Sequence, residues 1–325
     1  PVLSNVYDTR ANLNTALGKK QQVTQSGFSA LVEYQLESDL MFKSVTSSRH
    51  DKSYAPIDFD SVGTVDFDVP ALYKNKQFSQ EFQFTYTGKA FQGVAGVYYI
   101  DANAYNKFDV RLLGTSTFTE GDIDTKAWAA FADASFDLSK DLSLSIGGRY
   151  TVDKREANIL RQIYLGTAGS PAMGNAAAVL FRTDTNLTKS DLHREDKKFT
   201  PRISLGWKAS ADQNVYASWT EGFKGGGFDP RMNIVGSKLT LDKAKQGFLP
   251  EQISTFEIGL KSAFAKNTVL TNIAVFHSDY KEVQIPGSVA IDTNGDGKDD
   301  SFAGVTTNAG KAKIDGIELE ATARL

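Results

Sequence analysis

The chain contains no cysteine, which excludes a disulfide framework, a thiolate metal site and a cysteine nucleophile. Histidine is nearly as scarce. His50, His193 and His277 are the only three in 325 residues, and their wide spacing argues against a histidine-rich metal centre. An excess of one charge is also missing: 36 basic and 39 acidic side chains leave a formal charge of −3. Such a balance gives no electrostatic footprint for nucleic acid, which is not expected as a partner. Long apolar runs are lacking too. Stretches such as 127–132 and 176–181 fall far short of the ~20 residues of a membrane-spanning helix. The mean hydropathy of −0.31 therefore excludes a helical membrane protein. It leaves β-barrels open, because a spanning strand needs only ~9–11 residues and hides in an average. No basic region followed by an apolar one starts at Pro1, so any export signal is expected to have been removed.

What the sequence does contain is a period of two. From Leu142 one face reads Leu142, Leu144, Ile146, Gly148, Tyr150, Val152, and the other Ser143, Ser145, Gly147, Arg149, Thr151, Asp153. The same alternation sets Phe78, Phe82, Phe84 and Tyr86 against Ser79, Glu81, Gln83 and Thr85, and Ile317 and Leu319 against Glu318 and Glu320. Each such segment turns one face to an apolar medium and the other to water. About eleven strands follow from this template, near 28–37, 40–48, 77–88, 90–100, 124–138, 141–156, 198–209, 213–224, 252–264, 268–283 and 311–325. No convincing amphipathic helix interrupts them.

The links alternate as strictly as the faces. Short ones carry turn chemistry, as in Glu37-Ser38-Asp39, Gly88-Lys89 and Ser139-Lys140-Asp141. Long ones run over 49–76, 101–123, 157–197, 225–251 and 284–310. Soluble sandwiches have strands of ~5–6 residues, and loops beyond ~12–15 residues are uncommon in compact domains. Short turns on one side and long loops on the other are the asymmetry of an outer-membrane barrel. Aromatic residues at strand ends (Tyr86, Tyr98, Tyr99, Trp128, Tyr150, Trp207, Tyr280) suit its interfacial girdles. The expected fold is all-β: an antiparallel transmembrane β-barrel, of which this chain supplies a part. A passive porin-like channel and a secreted β-rich adhesin or carbohydrate-binding module remain as alternatives. Steady large pores in a planar bilayer would favour the first, and detergent-free solubility the second.

Residues 199–231 (FTPRISLGWKASADQNVYASWTEGFKGGGFDPR), together with 130–156, 249–285 and the closing NAGKAKIDGIELEATARL, resemble the barrel of TonB-dependent outer-membrane receptors. The matching segments cover about half the chain, in order. The resemblance implies a bacterial outer-membrane location and a larger barrel of about 22 strands with a plugged lumen. It implies active import of a scarce ligand such as an iron–siderophore complex, haem, cobalamin or an oligosaccharide. The TonB complex would be recruited through a plug domain, with outer-membrane lipids around the wall. Residues 1–325 are then expected to be barrel, with the N-terminal plug and the C-terminal strands outside this chain.

Among local motifs the sharpest is DTNGDGKDD, residues 292–300. Asp292, Asn294 and Asp296 occupy positions one, three and five of a calcium loop. Gly297 takes the sixth, and Asp300 the ninth. The twelfth position is Ala303, so the closing bidentate acid is missing. Weak calcium binding and a solvated Asp/Gly-rich loop tip are both open at this point. GFKGGGFDP, residues 222–230, lacks the ending of a phosphate-binding loop and is expected to be a flexible barrel mouth. Arg149, Asp153, Arg202, Lys208, Glu257, Lys261, Glu318, Glu320 and Arg324 are expected to form mixed-sign ladders on the lumen face. Glu318 and Glu320 could pair as a glycosidase does, but nothing else supports catalysis, and no enzymatic role is expected. Ligand contacts are unknown. The loop aromatics Tyr54, Phe59, Phe67, Tyr73, Tyr105, Phe108, Tyr164 and Phe181 are candidates, because binding residues gather on loops above a rigid scaffold.

Overall fold

The computed structural model describes residues 21–59, 67–89, 91–112, 114–235, 241–264, 266, 268–292, 296–299 and 301–324. Its strands are β1 (Gln22–Glu37), β2 (Leu40–Tyr54), β3 (Ile57–Asp58), β4 (Phe67–Val69), β5 (Ala71–Thr87), β6 (Phe91–Leu112), β7 (Thr115–Asp137), β8 (Leu142–Leu165), β9 (Leu180–Ser210), β10 (Gln213–Lys224), β11 (Glu251–Phe264), β12 (Val269–Lys281), β13 (Gln284–Ile291), β14 (Ser301–Asn308) and β15 (Lys311–Ala323). One short helix, α1 (Leu241–Gln246), precedes β11. Eleven strands form a single antiparallel path, β1-β2-β5-β6-β7-β8-β9-β10-β11-β12-β15. β3 and β4 attach beside β6, and β13 pairs β14 in a separate ribbon. No pairing joins β1 to β15 among the described residues, so the sheet is open.

Register shows why the alternating sequence folds this way. Leu144, Leu205, Ala217, Ile258, Val275 and Ile317 lie opposite one another across β8, β9, β10, β11, β12 and β15. Phe82, Val97, Ala130, Tyr150 and Phe199 make a second apolar row across β5–β9. One step off, Lys208, Asn214, Lys261, Asn272 and Glu320 align on the opposite face. A slip by one residue would exchange the two faces, so the apolar pattern fixes the register. Large apolar side chains of the outer face stand half open: Val97 is 52 % exposed and Leu205 44 %. Rows of that length uncovered by protein require lipid.

The long links differ from the loops expected between strands. β6 and β7 stay paired up to Leu112 opposite Thr115, and β8 pairs β9 out to Tyr164. Hairpin arms thus replace most of 101–123 and 157–197, and β2 and β5 pair over 49–54 and 72–77. Beyond the bilayer the outer face no longer meets lipid, so alternation fades while backbone pairing continues. β1 likewise begins at Gln22, six residues earlier than the pattern indicated. Two girdle assignments also change. Tyr98 projects from the lumen face, with the Arg149 guanidinium 5.3 Å from its ring. Tyr280 lies opposite Ile253, one step off the lipid-facing row, and so faces inward.

Candidate functional site: an external wall and its inner strap

Above the membrane band, β8 and β9 carry a second layer on their inner face. Residues 225–235 and 241–248, the latter including α1, fold back on them. Phe228, Met232 and Ala244 pack against Ala157, Ile159, Leu187 and Leu192 in one buried cluster, with Ile123 and Ile234 at its margin. The two ends of this strap pair with each other through Gly227 and Phe248.

Two arginine–aspartate pairs on adjacent strands face it, and the Arg194–Asp196 pair anchors it. Arg155 Nε and Nη2 donate to the two Asp153 oxygens at 3.1 Å. Arg194 Nε and Nη2 donate to Asp196 at 2.9 and 2.6 Å. The remaining Arg194 nitrogen, Nη1, donates to the carbonyls of Gln246 and Phe248 at 2.9 and 2.8 Å. Asp196 also accepts the Gly226 N–H at 2.9 Å. Forked pairs of this kind fix geometry as well as charge. Gly225 to Asp229 are buried against them, so the glycine run is a packed seam, not the flexible mouth expected. A Cβ on Gly226 would come within 2.3 Å of the Phe248 carbonyl and 2.4 Å of Arg194 Cζ.

Further out the same layer ties into the β13–β14 ribbon. Asp229 accepts from Arg231 Nε and Nη2 at 3.0 and 2.7 Å and from the Thr306 hydroxyl at 2.9 Å. Burial pushes the Asp229 carboxyl up, but the hydrogen bonds and charge of Arg231, with the Thr306 hydroxyl, outweigh it and leave the group below the ordinary range. Deeper still, Asp184 accepts from Arg182 Nε at 2.6 Å and Asn233 Nδ2 at 3.0 Å. Arg161 donates to Thr119 Oγ1 at 3.2 Å, and burial lowers its pKa against the pull of Asp184. The wall is therefore a rigid, charged surface, with each arginine oriented by an aspartate.

The opposite face of the hairpin arms is closed by residues 166–178. Met173 packs with Phe118 and Tyr164, and Asp109 Oδ2 accepts the Ser170 N–H at 2.8 Å. Burial dominates at Asp109 and holds its carboxyl above the ordinary value, despite Ser170 and Arg111.

Within the bilayer the lumen face carries the ladders expected from sequence. Arg202 lies 3.3 Å from Asp133 and Lys198 3.5 Å from Glu221, while Arg149 stacks over Tyr98 and Phe131. Tyr216 donates to Glu257 at 2.7 Å. Glu318 and Glu320 occupy successive inward rows opposite Ala274 and Asn272. Of the loop aromatics, Tyr164 is buried in packing, Phe59 stacks on Phe67 at 4.8 Å, and Phe181 stays 60 % exposed.

At the candidate calcium loop, Asp292 accepts the Gly297 N–H at 2.7 Å and Asp296 the Lys298 N–H at 2.8 Å. Gly297 has φ +85°, the left-handed turn its position in such a loop demands. Asn294 and Asp300 lie outside the described residues. Among the described residues no group of three or more His, Asp or Glu is placed to hold a metal ion. The strap and the Arg155 and Arg194 pairs beneath it carry little signal in the sequence. Their only signal is the i, i+2 spacing of opposite charges in Asp153/Arg155 and Arg194/Asp196, which puts both partners on one strand face.

Comparison with known proteins agrees with this architecture. The family described as TonB dependent receptor-like, beta-barrel, matches residues 3–325. The ferric yersiniabactin uptake receptor FyuA from Yersinia pestis superposes with a TM-score of 0.70 at 17% identity, over 93% of this chain and 40% of that one. The ferric-catecholate import receptor Fiu from E. coli gives 0.64 at 15% identity, over 94% of this chain and 45% of that one. The siderophore receptor PiuA from Acinetobacter baumannii gives 0.63 at 14%, over 94% and 45%. The chain thus spans less than half the length of these solved structures. With its family match, its antiparallel sheet and its lipid-facing rows, the chain belongs to the TonB-dependent receptor β-barrel family of the bacterial outer membrane.

Proposed function

We propose that this barrel segment forms the receiving wall of an active importer for a scarce ligand, an iron–siderophore complex or a compound of similar chemistry. Family membership supports transport rather than catalysis. The observation that carries the reading furthest is the strap packed on the inner face of β8 and β9 and fixed by Arg194 and Asp196. It gives the outer opening a pre-formed polar wall on a rigid scaffold, which is where binding residues are usually placed. In this reading the plug and its TonB-contacting segment come from receptor sequence outside these 325 residues, and TonB supplies the energy. Iron-limited growth on ferric chelates, in cells with and without TonB, tests it. Uptake should need both the receptor and TonB. Uptake that persists without TonB would instead fit a passive channel.

For residues 292–300 the proposal is weak calcium binding that orders an external loop. Its support is the ligand spacing and the left-handed Gly297. Calorimetry of the purified receptor should show calcium heat that Asp292→Ala and Asp296→Ala remove. An absence of heat in the unaltered receptor would end this proposal.

A further inference from the structure

The outward face of β2 and β5 changes character where these strands leave the apolar band. Phe28, Ser48 and Phe78 lie opposite one another on the lipid-facing side. Two and four residues further out on the same face come His50 and Lys52 on β2, and Lys76 and Lys74 on β5. The register sets His50 directly opposite Lys76, and Lys52 directly opposite Lys74. All four are exposed. Lys52 and Lys74 are like charges facing each other across an antiparallel pair, which is destabilising, so the arrangement calls for an anion.

Among the described residues none of the four forms an ion pair with a carboxylate. Asp51 projects from the other face, where it accepts from Asn75 at 2.8 Å. Asp122 and Asp124, on the outward face of β7, are engaged by Asn103 at 2.6 and 2.7 Å and by Lys189, with the Lys76 charge also reaching Asp124. On the neighbouring strands of this face Lys126 is matched by Asp101 at 3.9 Å, and Lys154 by Glu195 at 3.0 Å. Lys52 and Lys74 instead lie over aromatic rings, 4.8 Å from Tyr54 and 5.4 Å from Tyr105. Such contacts hold an ammonium in place without neutralising it. The patch begins about ten residues from the short turns, where a spanning strand reaches the headgroups. It continues the lipid-facing belt without a break.

We propose that His50, Lys52, Lys74 and Lys76 form a docking patch for phosphorylated lipid headgroups of the outer leaflet. Continuity with the apolar belt places the patch against lipid, and its unmatched positive charge selects phosphate. This inference rests on the outer-membrane location and not on the transported ligand.

The test uses receptor purified from outer membranes, freed of lipid in detergent and titrated with bis-phosphorylated lipid A in mixed micelles. Retained heat-modifiable mobility on gels verifies folding of each variant. The triple variant K52Q/K74Q/K76Q should bind about tenfold more weakly or worse. The matched-lysine control K126Q/K154Q should change little, and K52R/K74R/K76R should retain binding. Dephosphorylated lipid should bind the unaltered receptor as weakly as the phosphorylated lipid binds the glutamine variant. Equal binding by the glutamine variant overturns the proposal, as does an equal loss in the control. Inorganic phosphate competing as well as the lipid would also overturn it, by making the patch a site for the free anion.

Discussion

Gly226 shows how one residue sets the position of a whole segment. Its N–H is held by Asp196 and its missing side chain leaves room for Arg194 and the Phe248 carbonyl. Gly226→Ala forces one of these groups to move, and the nearest is backbone, which yields least. The expected cost is ~1–3 kcal/mol of local stability, seen as faster hydrogen exchange and faster proteolysis within 225–248. Cleavage of β1–β2 should be unchanged, because those strands lie several strands along the sheet from β8 and β9, on which the strap packs. The glycine run was visible in the sequence, yet its role was not. Three glycines read equally well as flexibility or as close packing. Only the arginines brought from residues 155 and 194 decide between the two.

At the scale of elements, the membrane-spanning parts were legible and the external parts were not. Eleven strands with short turns follow from alternation alone, because lipid on one side and water on the other enforce a strict period. The lumen ladder through Lys208, Lys261 and Glu320 followed from the same pattern. Past the bilayer, the outward residues of β6 to β9 are charged or packed, as with Asn103, Asp124, Glu156 and Phe118. The period disappears there while the hydrogen-bond ladder runs on. The breaks in β9 register opposite Ala157–Ile159 and Arg161–Tyr164 add residues that no hydropathy count detects. α1 is too short to present a periodic face, so its place in the strap depends on tertiary contacts.

For the whole molecule the two faces of the sheet make unequal demands. Leu205 sits mid-strand in a row of apolar residues crossing six strands, and its open side faces lipid. Leu205→Arg should therefore cost ~2–4 kcal/mol in denaturant unfolding from liposomes. Ser204→Arg, one residue away on the lumen face, should cost much less. A near-equal loss for both would mean that the two faces are not distinguished by lipid and water. The comparison reads the orientation of the entire sheet from neighbouring residues.

β8 is a single strand of 24 residues, and β9 one of 31. At ~3.3 Å per residue β8 alone measures roughly 80 Å, whereas crossing the apolar band uses only ~9–11 of its residues. More than half of that ribbon stands outside the cell, buttressed on one side by the strap and on the other by residues 166–178. What antibodies, phages and proteases meet on this stretch of the bacterial surface is therefore a stiff β-ribbon presenting a fixed epitope.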